Sequence, residues 1–187
     1  MIEIPGSPII NAIVSFLILI GLLFGVMLTP PGSPLKYVLF AAFAYWTGQA
    51  MKPLVKNLEE NNLLVRVLLL TTGVFVGLTV IGFYDNQNTL GFAPYLLAAL
   101  VGLILARLAI YVFATPEERA KSESWLALAG VGLFSVYTVY DTQIVKENAR
   151  MCGSMLRKGR LPDYPAESLG LFLDFVNLFA NLSNLNE

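Results

Sequence analysis

Six apolar runs, each set off by turn residues or charges, constrain this chain more than any other feature. They are Pro8–Leu28, Tyr37–Met51, Val67–Tyr84, Gly91–Ala106 with a continuation past Arg107 to Ala114, Trp125–Tyr140 and Ser168–Leu185. A helix of about 20 apolar residues rises about 30 Å, the thickness of a bilayer's hydrocarbon core. Six such spans use roughly 120 residues, which leaves the 187-residue chain only short connections. The charge content agrees, since 13% of residues are charged and 56% apolar, against about 25% and about 45–50% in soluble domains. The expected fold is all-α: a polytopic transmembrane helix bundle of six spans, forming a single domain over residues 1–187. The spans are placed at about 8–28, 35–52, 64–84, 93–114, 124–143 and 168–185. The first run lacks a basic flank and is followed by Pro30 and Pro31, so it reads as a retained span and not as a cleaved signal.

Small residues recur at four-residue spacing within the runs: Gly21 and Gly25, Ala44 and Gly48, Gly73 and Gly77, and Ala98 with Gly102 and Ala106. Such spacing lets helix backbones approach closely, and the expectation is packing within one bundle. Five of the basic residues, Lys146, Arg150, Arg157, Lys158 and Arg160, fall in the connection between Gln143 and Glu167. Their concentration places that connection on the cytoplasmic side.

Several chemistries drop out at once. With 12 basic and 13 acidic residues the net charge is −1, so there is no basic field to hold nucleic acid. There is no histidine and a single cysteine, Cys152, which removes intramolecular disulfides, His/Cys zinc sites and His-dependent triads. No phosphate-cradling or dinucleotide-binding glycine motif occurs. Asn181-Leu-Ser183 matches a glycosylation pattern but lies inside an apolar run, and Cys152 reads as an incidental thiol in the charged connection.

Three charges interrupt the runs: Arg107, Asp141 and Asp174. A charge near the bilayer centre costs about 2.5–3.5 kcal/mol on insertion scales, so it is usually paired or functional. Arg107 lies within reach of the nearer interface and reads as snorkelling or structurally paired. Asp174 sits six residues into the last run and must face the bundle interior. Asn177, Asn181 and Asn184 follow at offsets of three, seven and ten, which puts a polar stripe on a semi-polar last helix. Asp141 ends the preceding run, with Ser135, Thr138 and Thr142 on or near its face. If these two helices pack antiparallel, Asp141 and Asp174 come to similar depth. Two carboxylates in one desolvated site do not both ionise cheaply, so the pair holds a shared proton, and when charged it offers hard oxygen ligands to calcium.

The same residues carry a family resemblance. Tyr140-Asp-Thr-Gln143, the charged Ile144-Val-Lys-Glu147, and Ser168-Leu-Gly-Leu-Phe-Leu-Asp-Phe-Val-Asn177 resemble the carboxyl-terminal signature of the transmembrane Bax inhibitor motif family. Tyr45-Trp-Thr-Gly-Gln-Ala-Met-Lys-Pro-Leu54 is similar to the family's threonine-glycine span end followed by proline. The resemblance covers residues 8–187, most closely after Trp125. It implies an integral membrane protein whose final helix is central. It also implies a calcium leak controlled by pH through an aspartate pair, transferred here to Asp141 and Asp174, and suppression of cell death in a eukaryotic host. Asn177, Asn181 and Thr138 then line the polar path. The implied location is the endoplasmic reticulum or another endomembrane in a eukaryote, or the plasma membrane in a bacterium. The implied partners are the lipid bilayer, calcium and protons, with membrane proteins of cell-death control as further candidates, and no resident cofactor is expected. The family has seven spans and an early-span arginine that latches the aspartate pair. Six are counted here, and Pro8–Leu28 holds no charge, which leaves Arg107 as a possible latch.

Two other readings remain open: a non-conducting membrane interaction protein acting on apoptosis or stress signalling, and a proton-coupled transporter. An enzyme is not expected. Tyr140-Asp141 is present, but the Gly-x-Gly-Asp partner of an intramembrane aspartic protease is absent.

Overall fold

Proline sets several of the helix starts. It lacks the amide hydrogen that a first turn leaves unused, and its fixed φ suits that position. In the computed structural model, which describes residues 8–85 and 89–186, α1 (Pro8–Leu28), α2 (Pro34–Glu60) and α5 (Pro116–Arg157) begin on proline. Pro94 lies in the first turn of α4 (Ala93–Phe113). The others are α3 (Leu64–Tyr84) and α6 (Tyr164–Asn186), and a single 3-10 turn, Thr89–Phe92, precedes α4. No strand occurs among the described residues. The all-α expectation is therefore met.

The caps explain where the helices stop. Asn62, at φ 57°, ends α2 in a left-handed conformation. The amide of Leu63 donates to the Leu58 carbonyl at 2.8 Å and that of Asn62 to Glu59 at 3.0 Å, the paired bonds that close a helix C-terminus. Gly159 repeats the device after α5, with Arg160 donating to Met155 and Gly159 to Leu156. Thr115 and Glu118 open α5 with a reciprocal capping box: the Thr115 amide donates to the glutamate at 2.9 Å, and the Glu118 amide to the threonine hydroxyl at 3.4 Å.

Several boundaries differ from the sequence expectation: α2 runs to Glu60, past the expected end at 52, and α5 opens at Pro116, ahead of the expected start at 124. The charged stretch read as a connection from 144 to 167 is helical as far as Arg157, so Cys152 lies on α5 and not in a loop. At 42 residues, α5 runs about 63 Å at 1.5 Å per residue, well beyond the expected span at 124–143. Leu64–Tyr84 and Ala93–Phe113 are long and apolar enough to cross a membrane, with mean hydropathies of 2.2 and 2.4. Only 11% and 6% of their most apolar stretches are buried within the protein. Ile13–Leu28 is a shorter apolar helix.

The chain divides into two compact units, Met1–Asn57 with Met151–Leu169, and Leu58–Arg150 with Gly170–Glu187. In the first, Pro30-Pro31-Gly32-Ser33 turns the chain between α1 and α2, closed by the Ser33 amide on the Pro30 carbonyl. Gly32 has φ +79°, and a Cβ there would collide with Leu161. The unexpected feature is Lys36, which is wholly buried at the start of α2. Its Nζ donates to the Thr29 carbonyl at 2.9 Å and pairs with Asp163 at 2.5 Å. Asp163 also caps α6 by accepting from the Ala166 amide at 3.3 Å. One carboxylate thus joins the first connection to the fifth.

In the second unit, α5 buries one face, Ala127, Gly130, Phe134, Thr138 and Thr142, at the spacing of three and four that keeps residues on one side of a helix. Toward it packs α6, in which no residue between Gly170 and Asn184 is exposed. The Phe175 ring meets Phe75 of α3 edge-on at 5.4 Å. The expected small-residue packing is not what is found. Gly48, Gly73, Gly77 and Gly102 have no neighbour where a side chain would be, and neither has Gly21, whereas Gly25 alone of those expected glycines packs closely, 3.3 Å from Leu39. The close approaches in this unit are made by glycines outside those pairs. A Cβ on Gly82 would lie 2.8 Å from the Val139 carbonyl and 2.9 Å from Thr142.

Candidate functional site

α6 is apolar enough to pack in a bundle, yet amides, hydroxyls and carboxylates recur along it. Several of these groups are satisfied by their own helix. Asn177 donates to the Leu173 carbonyl at 2.8 Å, Asn181 to Asn177 at 2.6 Å and Ser183 to Phe179 at 2.7 Å. Such back-bonding lets a polar residue face an apolar neighbour without leaving a donor unpaired. Thr138 and Thr142 of α5 do the same, donating to Phe134 and Thr138.

Asp174 has no such recourse, because a carboxylate brings only acceptors to a helix whose amides are already used. It is 3% exposed, and its Oδ2 is buried without a hydrogen-bond partner. One turn earlier on the same face of α6 is Gly170. A Cβ there would collide with the carboxylate of Asp141 from α5. The absence of a side chain at 170 therefore seats the half-buried Asp141 against the turn that precedes Asp174. The two carboxylates lie within electrostatic reach of each other, and Tyr137, one turn before Asp141, lies within reach of both.

The remaining candidates sit further along α6. Asn181, 2% exposed, accepts a 2.5 Å hydrogen bond from Arg107 Nη2 of α4. A Cβ on Gly130 of α5 would strike the same carboxamide. Arg107 Nε is buried and has no partner. Arg107 thus reaches inward to α6 at Asn181, seven residues and about 10 Å along the helix from Asp174. Asn177 is half-buried between these levels, and Thr138 is wholly buried on α5. No cluster of three or more acidic, cysteine or histidine side chains forms among the described residues. A cation at this site would draw on the two carboxylates and on neutral oxygens.

The sequence pattern missed Gly170 and Gly130, the two positions whose lack of a side chain admits Asp141 and Asn181. Their signal lies only in the register between helices. Lys36, which the sequence shows only as a charge beside the first connection, is buried against Asp163.

The fold and this site define an all-helical membrane protein with a carboxylate pair where its last helix is covered. A profile of the family described as "Inhibitor of apoptosis-promoting Bax1" matches residues 1–185, and the chain belongs to that Bax inhibitor-like family of membrane proteins. It is similar to an uncharacterized protein of Campylobacter jejuni, 30% identical over 91% of this chain and 69% of that protein. It is likewise similar to Bax inhibitor 1 of Schizosaccharomyces pombe, 27% identical over 91% of this chain and 59% of the yeast protein. The Golgi anti-apoptotic protein of vaccinia virus is 27% identical over 98% of this chain and 71% of its own length.

Proposed function

We propose that this chain is a pH-sensitive calcium leak of the Bax inhibitor type, in which Asp141 and Asp174 control the ion path. The observation that carries the reading is the buried, unpartnered Oδ2 of Asp174 one turn from the seat of the Asp141 carboxylate. A buried acceptor without a donor costs about 1–3 kcal/mol, more when charged, and a proton or a cation relieves that cost. The two occupants compete. A protonated pair carries less charge and holds no cation, whereas a deprotonated pair supplies hard oxygen ligands for calcium as cargo. Among the described residues, the titratable side chains near the pair include Tyr137 and Tyr140 of α5, with Arg107 of α4 two turns along α6.

In this reading all six helices cross the membrane as a single domain. The chain catalyses no reaction and needs no resident cofactor, and its partners are the bilayer, calcium and protons. The compartment is an endomembrane such as the endoplasmic reticulum in a eukaryotic host, or the plasma membrane in a bacterium. Suppression of cell death follows from the lowered calcium load of that compartment.

The test is calcium efflux from proteoliposomes at several pH values. Efflux is expected from the wild type, with a pH dependence that Asp141→Asn and Asp174→Asn each abolish. No efflux, or efflux unaltered by both substitutions, refutes conduction. A second reading is favoured by the names of the yeast and viral relatives: a non-conducting protein that restrains apoptosis through membrane partners. It predicts protection of cells that survives both substitutions.

A further inference from the structure

Arg107 also lines a half-open cavity of about 360 Å3 between α4 and α5, with Leu108, Tyr111, Arg119, Glu123 and Leu126 among its other lining residues. That volume is in the range of small-ligand sites, about 300–1,000 Å3. Two guanidinium groups face one carboxylate, and neither arginine forms an ion pair among the described residues. Arg119 is held in place: its Nε donates to the Ala114 carbonyl at 3.2 Å, and its guanidinium lies 5.1 Å over the Tyr111 ring. A fixed guanidinium whose terminal nitrogens are uncommitted is prepared for a phosphate, which it binds in a two-pronged manner.

We propose that this cavity binds the phosphate of an anionic membrane lipid. A lipid, in preference to a free phosphate, is indicated by what adjoins the arginines. Leu108 and Leu126 give the cavity apolar walls. Below it α4 presents an almost unburied apolar surface, with Val101, Ile104, Leu105 and Leu108 exposed. Tyr111, Phe113 and Trp125 are exposed around its level, the aromatic belt of a membrane interface. An amphiphile with its phosphate on Arg119 and its chains along α4 satisfies both halves of the site, whereas a soluble anion satisfies only one. Basic pockets between membrane helices hold lipid headgroups by this combination.

The purified full chain in mixed micelles is titrated with phosphatidylglycerol and with phosphatidylcholine of the same acyl chains, and bound lipid is read by native mass spectrometry. The wild type is expected to prefer phosphatidylglycerol about tenfold, because both lipids offer a phosphate to Arg119 and only phosphatidylcholine brings a choline cation against the two arginines. Arg119→Gln is expected to abolish the preference, and Glu123→Gln, which removes the opposing carboxylate, to raise it several-fold. Lys158→Gln, at an exposed lysine elsewhere, leaves it unchanged. Equal binding of the two lipids overturns the proposal, as does a loss in Lys158→Gln equal to that in Arg119→Gln. If Arg119→Gln does not fold, Glu123→Gln decides: an unchanged preference overturns the proposal. Glycerol 3-phosphate added at the lipid's concentration should not displace it; if it displaces lipid fully, the site reads a soluble phosphate and the lipid assignment fails.

Discussion

The seat of Asp141 against α6 makes Gly170→Ala the most informative single change. On an unobstructed helix the substitution is favourable, because alanine exceeds glycine in helix propensity by about 0.8–1.0 kcal/mol. At 170 the added methyl collides with the Asp141 carboxylate and lies 3.1 Å from its Cγ. Overpacking of this kind costs about 1–3 kcal/mol, so the net effect is a loss of up to about 2 kcal/mol. At about 2–4 °C per kcal/mol for a chain of this size, the melting temperature falls by several degrees. In an Asp141→Ala background the obstacle is gone and the sign reverses, with a gain of up to about 1 kcal/mol. The coupling between the two sites is therefore about 1–3 kcal/mol, a size a double-mutant cycle resolves. The assay is thermal unfolding of the purified protein in one detergent, followed by circular dichroism. Gly102→Ala, at a glycine with open space around it, serves as the unobstructed control. If Gly170→Ala shifts the melting temperature equally with and without Asp141, the seat does not exist and the pairing of the two aspartates loses its geometric basis.

Three further substitutions test the supporting structure. Removing Asp163 while keeping buried Lys36 should cost about 3–5 kcal/mol, since it strands an uncompensated buried charge; Lys36→Met should cost less, because Asp163 is 29% exposed and keeps its cap on α6, and unfolding temperatures in the reverse order would refute the assignment. At the start of α5, bonds from the Thr115 amide and then from its hydroxyl hold the Glu118 carboxyl below its ordinary value of 4.5. Its contribution is therefore complete above that value and is lost as pH falls through the lower folded one, so Glu118→Gln should lower the melting temperature at pH 7 and lower it progressively less as pH falls below 4.5.

The start of α2 was legible because its determinant, Pro34, acts within one turn, whereas Pro116 and the Thr115–Glu118 box open α5 eight residues before the span placed at 124, on polar residues that hydropathy does not register. The extent of α5 was not legible, because apolar runs mark the part of a helix that meets lipid. The helix continues through Lys146–Arg157 with Arg150 and Arg157 exposed, and hydropathy carries no signal there. Asp174 stood out as a carboxylate in an apolar run whatever surrounds it. Gly170 did not, because a glycine's value depends on what faces it across the helix pair, and the Gly73 and Gly77 spacing that did stand out faces open space. Lys36 illustrates the same limit. Its sequence neighbours are those of an ordinary loop charge, and its partner is 127 residues away.

The self-satisfied amides of α6 bear on how the proposed path closes. Asn177 and Asn181 are neutral carboxamides whose donors are spent on their own helix, so the stripe places no charge between Asp174 and the guanidinium at Asn181. A calcium ion leaving the aspartate pair toward that end meets the positive charge of Arg107 about 10 Å on. At an effective dielectric of about 20 the repulsion between charges of +2 and +1 at that distance is about 3 kcal/mol. A barrier of that height slows passage by about a hundredfold. Arg107 would thus restrain the path by its charge at the level of Asn181, with no contact to either aspartate. Arg107→Gln is then expected to raise calcium efflux from proteoliposomes severalfold or more, up to that limit, and Arg107→Lys, which keeps the charge, to leave it near the wild-type rate. Equal efflux from the lysine and glutamine variants would show that the hydrogen bond to Asn181 matters and the charge does not, and unchanged efflux in both would remove Arg107 from the path altogether.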